Sequence, residues 1–133
     1  MLAIRRETDY ALKLLKVLAK AKGKILSLNE VSKKTKISFL FLQKIARKLR
    51  LAEIIGAYQG VEGGYKLLID PKKISLRTVI EAMEGKVSLL NCTKKNNKVE
   101  CVNIGEKCDV KNKLSKINSK IIKILDGVKL SDI

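Results

Sequence analysis

The stretch Ser27–Leu51, SLNEVSKKTKISFLFLQKIARKLRL, contains two helix starts separated by a tight turn. Ser27-Leu-Asn-Glu30 has the S-x-x-E form of a capping box. There a serine hydroxyl and a glutamate three residues on satisfy amides that a helix start leaves unpaired. It predicts a short helix to about Thr35 that buries Leu28 and Val31. A turn through Lys36 and Ile37 follows, and Ser38 can cap the second start. From Phe39 to about Leu51, Leu42, Ile45, Ala46 and Leu49 fall at offsets 0, 3, 4 and 7, one face of a helix. The outward face carries Gln43, Lys44, Arg47, Lys48 and Arg50. A short helix, a tight turn and a longer basic helix form the helix-turn-helix layout.

The flanks sharpen this reading. Ile54 to Gln59 and Tyr65 to Ile69 are β-prone, and Gly60, Gly63 and Gly64 between them supply left-handed turn conformations. A helix-turn-helix followed directly by a glycine-rich hairpin predicts a winged helix, mainly α with one small β-hairpin. In that arrangement the longer helix enters the major groove and the hairpin rides along the backbone or minor groove. Asp70-Pro71 ends the second strand, and Ser75 starts a helix to about Glu84 that buries Leu76, Val79, Ile80 and Met83. Gly85 stops it.

On the N-terminal side, Glu7 to about Ala21 reads as a helix that Gly23 ends. Lys13, Lys16 and Lys20 make one solvated stripe, while Leu12, Leu15, Leu18 and Ala19 on one side and Tyr10, Leu14, Val17 and Ala21 on the other are apolar. So wide an arc predicts contacts on two sides, the domain core and something else. Beyond Cys108 a long helix to about Asp126 spaces Val110, Leu114, Ile117, Ile121, Ile124 and Val128 by 4, 3, 4, 3 and 4. That is a heptad seam. It can pack on the chain's own domain or pair two chains. We favour the homodimer, because helix 1 has spare apolar surface and two-fold dimers match palindromic operators. The organisation expected is a winged-helix domain over 1–85, a cysteine loop over 86–109, and a dimerisation helix with a tail over 110–133.

Composition agrees. In 133 residues Lys and Arg outnumber Asp and Glu by 29 to 13, a formal charge of +16. Such a field attracts polyanions, nucleic acid before an anionic membrane surface. No segment approaches the roughly 20 apolar residues that span a bilayer. The N-terminus lacks the apolar run of a secretory signal, so a cytoplasmic protein is expected. With no histidine, no nucleotide-binding glycine loop and no paired carboxylates beside a pocket, catalysis is not expected.

All three cysteines, Cys92, Cys101 and Cys108, fall in one polar loop with spacings C-x8-C and C-x6-C. In a reducing compartment, clustered thiols more often bind metal or sense redox state than form a structural disulfide. A tetrahedral zinc needs a fourth ligand, and neither a histidine nor a C-x2-C knuckle is present. An iron–sulfur cluster accepts three thiolates when another group takes the last position. Unligated thiols acting as an oxidisable switch are the other reading.

T-D-Y-A-L at Thr8 to Leu12, I-S-F-L-F-L-Q-K-I at Ile37 to Ile45, G-V-E-G-G-Y-K-L at Gly60 to Leu67, and a three-cysteine loop before a final long helix together carry a resemblance. Over essentially its whole length the chain resembles the winged-helix repressor family that includes the iron–sulfur regulator IscR and the nitric-oxide-sensitive regulator NsrR. The resemblance implies a dimeric transcription regulator with a cluster on Cys92, Cys101 and Cys108, whose assembly, loss or oxidation changes DNA binding. Where family members use a histidine three residues after the last cysteine, this chain has Lys111. Others use an acidic residue near the start of helix 1 of the partner subunit, and Asp9 matches that position. Glu7, Glu100 and Asp109 are the reserve candidates. The Asp9 arrangement implies a 4Fe–4S cluster ahead of a 2Fe–2S one.

The resemblance also implies a DNA surface. Ser38, Leu40, Phe41, Gln43 and Lys44 match groove-facing positions, with Arg47 and Lys48 on the same outward face and Gln59, Gly60, Gly63 and Gly64 in the wing. Gln43 can pair with adenine, Lys44 with guanine or a phosphate, and Phe41 can touch a thymine methyl. For Leu40 and Phe41 burial under the wing is an equal alternative. The wing departs from the family pattern Arg-Gly-Pro-Gly-Gly-Gly. Gln59 stands where the minor-groove arginine would be, and Glu62 adds a charge that phosphate repels. A regulator without a cluster, governed by a protein partner or by thiol oxidation, is the alternative function.

Overall fold

The computed structural model describes residues 3–89 and 109–133. The loop with Cys92, Cys101, Cys108 and Glu100 lies outside the described residues. Among the described residues five α-helices, α1 (Arg6–Lys20), α2 (Leu28–Thr35), α3 (Phe39–Leu51), α4 (Leu76–Glu84) and α5 (Asp109–Gly127), accompany one antiparallel hairpin, β1 (Ile55–Tyr58) and β2 (Gly64–Leu67).

Each expected serine cap is made. Ser27 Oγ accepts from the Glu30 amide at 3.2 Å, Ser38 Oγ from Phe41 at 3.3 Å and Ser75 Oγ from Thr78 at 3.1 Å. Lys36 turns the chain between α2 and α3 in the left-handed conformation, φ 61°. The turn is pinned by Ser32 Oγ donating to the Ile37 carbonyl and by Thr35 Oγ1 accepting from the Ile37 amide. Ile37 itself drops into the core.

α1 lies at the centre, against α2, α3, α4 and β2. Ala11, Leu14, Leu15 and Leu18 of α1 are buried with Val31, Leu42, Ile45, Ala46, Leu49, Ile54, Ile55, Val79 and Met83. Its flanking Tyr10, Leu12, Val17 and Ala19 pack partly against that same cluster. Leu76 is half-buried rather than buried: it opens the first turn of α4, where its amide donates to the Val128 carbonyl at 2.8 Å.

The hairpin pairs Ile55 with Leu67 and Tyr58 with Gly64. A third segment joins it: Leu26 and Tyr65 exchange both backbone hydrogen bonds, at 2.9 and 2.8 Å. Gly64 has φ +155°, and a Cβ there would collide with the Leu26 carbonyl. Glycine at this position lets the wing lie flush on the α1–α2 connection.

The seam of α5 divides. Leu114, Ile121 and Val128 are half-buried, and α5 packs on α4. Val110, Ile117 and Ile124 stay exposed. Arg77 of α4 ties the two helices by binding Asp126 at 3.0 Å. Past α5 the tail returns: Leu130 is buried in the same core and its amide donates to Ile74. Among the described residues no helix is long and apolar enough to cross a membrane.

Candidate nucleic-acid interface

α3 presents one face inward and the other to solvent. Leu42, Ile45, Ala46 and Leu49 are buried without residue. This fixes the rotation of the helix, and Ser38, Leu40, Phe41, Gln43, Lys44 and Arg47 are exposed as a consequence. Leu40 and Phe41 do not lie under the wing. Leu40 is 76% exposed, and Phe41 leans its ring on Tyr10 of α1, edge to face, with centroids 5.9 Å apart. An apolar, solvent-facing first turn is unusual for a surface helix unless something covers it.

Two of the outward cations are engaged. Glu7, in the first turn of α1, binds Lys44 Nζ through Oε1 at 2.8 Å and Lys48 Nζ through Oε2 at 3.0 Å. Lys48 also reaches the Met83 carbonyl at the end of α4, at 3.5 Å. Hydrogen bonds from Lys44 and Lys48 hold the Glu7 carboxyl at about 2, far below the usual carboxylate range. Arg47 and Arg50 have no ion-pair partner among the described residues. Sequence reasoning missed this clamp. Glu7 and Lys44 are 37 positions apart and no local pattern links them.

In the wing, Gln59 and Gly60 are exposed, and Gly63 and Gly64 are half-buried. Gly63 closes the turn by donating to the Gly60 carbonyl at 3.0 Å, and a Cβ on it would strike the Tyr58 carbonyl. Lys66 Nζ stands 5.0 Å from the centre of the Tyr58 ring.

Asp9 sits on another side of α1, half-exposed, and binds Lys13 at 2.8 Å. At about 100° per residue it points some 200° away from Glu7. Among the described residues no three His, Cys, Asp or Glu side chains converge as a metal site. Of the expected ligand set only Asp9 lies among the described residues. Of the reserve candidates, Glu7 is held by two lysines and Asp109 is exposed at the start of α5.

The family described as Rrf2, iron-dependent transcriptional regulator, matches residues 4–133. The chain belongs to the Rrf2 family. Within the wider set of Rrf2-like relatives, the HTH-type transcriptional regulator IscR of Vibrio cholerae is 30% identical over 106 residues, covering 80% of this chain and 59% of that protein. The HTH-type transcriptional regulator NsrR of Shouchella clausii is 27% identical over 127 residues, covering 95% and 84%. The structure of CymR, the global cysteine regulator of B. subtilis, matches with a TM-score of 0.75 and 27% identity, over 99% of this chain and 95% of that one. The chain spans about three fifths of the length of the IscR relatives it matches. These matches confirm the winged-helix fold of an Rrf2 protein. They are to transcriptional regulators and not to enzymes, as the sequence led us to expect.

Proposed function

We propose that this Rrf2 protein is a homodimeric, cytoplasmic transcriptional regulator that binds a palindromic operator in double-stranded DNA. Its affinity is set by an iron–sulfur cluster on Cys92, Cys101 and Cys108. The observation that carries the DNA half is the exposed face of α3, where Ser38, Leu40, Phe41, Gln43 and Arg47 project beside the wing from a helix whose other face is locked in the core. Gln43 is assigned to adenine, Lys44 to guanine or a phosphate, and Phe41 to a thymine methyl. Leu40, Arg47 and Lys48, with Gln59, Gly60, Gly63 and Gly64 of the wing, complete the contact surface.

The cluster half rests on the donor set. Three thiolates leave one position open, and the partner subunit's Asp9 is the oxygen donor assigned to it, in a 4Fe–4S rather than a 2Fe–2S centre. Such a centre supplies reactivity toward oxidants and nitric oxide. The exposure of Asp9 on the side of α1 away from α3 supports this assignment. Lys13 would exchange its partner Asp9 for solvent.

Anoxic purification with an absorption spectrum and iron and sulfide quantitation tests the reading, on wild type and Asp9→Ala. Cluster stoichiometry in wild type and a less stable centre in the variant are expected. A colourless protein that cannot be reconstituted would remove the cluster and leave the DNA reading standing. The alternative is a regulator without a cluster, governed by a protein partner or by thiol oxidation. In that case Cys101→Ser would leave DNA binding unchanged in iron-replete, anoxic protein.

A further inference from the structure

The clamp on α3 has no role in the reading above. Glu7 presents both carboxylate oxygens to two lysines that the DNA surface needs, one oxygen to each. Two ammonium groups around one anionic, two-oxygen group is also the arrangement they would make around a backbone phosphate. The two lysines are not equivalent. Lys44 is 60% exposed and, among the described residues, bonds only to Glu7, whereas Lys48 is 36% exposed and is also held by the Met83 carbonyl. Lys44 can therefore swing to a ligand while Lys48 stays and keeps Glu7 paired. The α1 end of the clamp is itself anchored, since the Arg5 amide donates to Glu84 of α4 at 2.6 Å.

We propose that Glu7 is an internal stand-in for a DNA phosphate, holding Lys44 in the DNA-free protein and competing with the DNA backbone for it. This rests on the assignment of α3 as the DNA-reading helix. Every complex in which Lys44 reaches a phosphate must first break its pair with Glu7 and then keep a carboxylate close to the DNA. Glu7 thus lowers affinity without touching the ligand, and it determines how much of the basic surface is available before binding.

The test uses the full-length protein, a labelled duplex selected by the wild type from a randomised library, and a mixed-sequence duplex of the same length. Glu7→Gln keeps the shape of the side chain and an acceptor for Lys48 but removes the charge. An exposed ion pair is worth little, so the gain expected for two protomers is roughly 3- to 30-fold in affinity for either duplex. The gain must pass through Lys44: in a Lys44→Gln background, Glu7→Gln should change affinity much less. Thermal melting of each variant verifies that it is folded. Weaker binding by Glu7→Gln would mean that Glu7 preorganises the lysines for DNA, and would overturn the proposal. An undiminished gain in the Lys44→Gln background would also overturn it, as a general charge effect. If Lys44→Gln and Arg47→Ala both bind as wild type, the assignment of α3 fails and takes this inference with it. If those two weaken binding and Glu7→Gln does not strengthen it, the inference alone fails.

Discussion

Replacing Ile117 and Ile124 together by alanine should disrupt the proposed homodimer without unfolding the chain. Both project from the side of α5 that the single chain leaves uncovered, at 46% and 67% exposure. Isoleucine to alanine removes three carbons, worth about 2.4 kcal/mol when fully buried at about 0.8 kcal/mol each. Only the part still exposed can be gained by association, about 1.1 kcal/mol at Ile117 and about 1.6 kcal/mol at Ile124. A two-fold interface counts each side chain twice, which brings the loss to about 5 kcal/mol, or about 10⁴ in the dimer dissociation constant. Sedimentation equilibrium over a dilution series measures it directly. Binding to a palindrome should weaken in parallel, with half-site occupancy appearing at high protein. The helix itself should survive, because alanine is the better helix former and exposed positions tolerate substitution. An unchanged association constant in the double variant would refute the assignment of this face to a second copy.

Three further outcomes are expected. Gly64→Ala should cost about 3 kcal/mol, since φ +155° is strained for any side chain and the new Cβ displaces the Leu26 backbone that pairs with Tyr65; urea unfolding measures this. Thr8→Val should hold or raise the melting temperature, by up to about 2 kcal/mol of stability, because the buried Thr8 hydroxyl has no hydrogen-bond partner among the described residues. A clear loss would show that the hydroxyl is satisfied in solution. Glu7 sets the acid response: its carboxyl titrates at about 2 in the folded chain, below its unfolded value. The stability it contributes is complete above the unfolded value and is lost as pH falls through about 2. Urea midpoints of wild type and Glu7→Gln, compared from neutral pH downward, should converge at the acid end. Parallel curves would mean that the ion pairs do not form in solution.

The fold was legible because its determinants are local. Ser27, Ser38 and Ser75 each sit next to the amide they cap, and the stripe Leu42, Ile45, Ala46, Leu49 fixes the rotation of α3 with no knowledge of what covers it. That rotation makes Gln43, Lys44 and Arg47 outward before any partner is known. Whether Leu40 and Phe41 are open was not legible, since it depends on where the wing folds back, and Leu26 pairing with Tyr65 decides that over a span no pattern bridges. The heptad of α5 has the same ambiguity. Spacing shows that a seam exists, but not that Ile121 turns toward α4 while Ile117 and Ile124 stay outside. Nor does anything in Val128 to Ile133 announce that Leu130 returns to the core.

Charge is where composition misleads most. A formal +16 and an outward face with Lys44, Arg47, Lys48 and Arg50 suggest four ready phosphate contacts on α3 alone. The folded chain has already committed two of the four to Glu7, and one of those also to a backbone carbonyl. The two carboxylates of the first turn of α1 then diverge in consequence. Glu7 turns toward α3 and offsets two of its lysines, while Asp9, some 200° around, pairs with Lys13 of its own helix. Counting lysines therefore overestimates the phosphates this surface can neutralise. The slope of affinity against salt, about −0.9 for each phosphate contacted, counts them as the fold presents them.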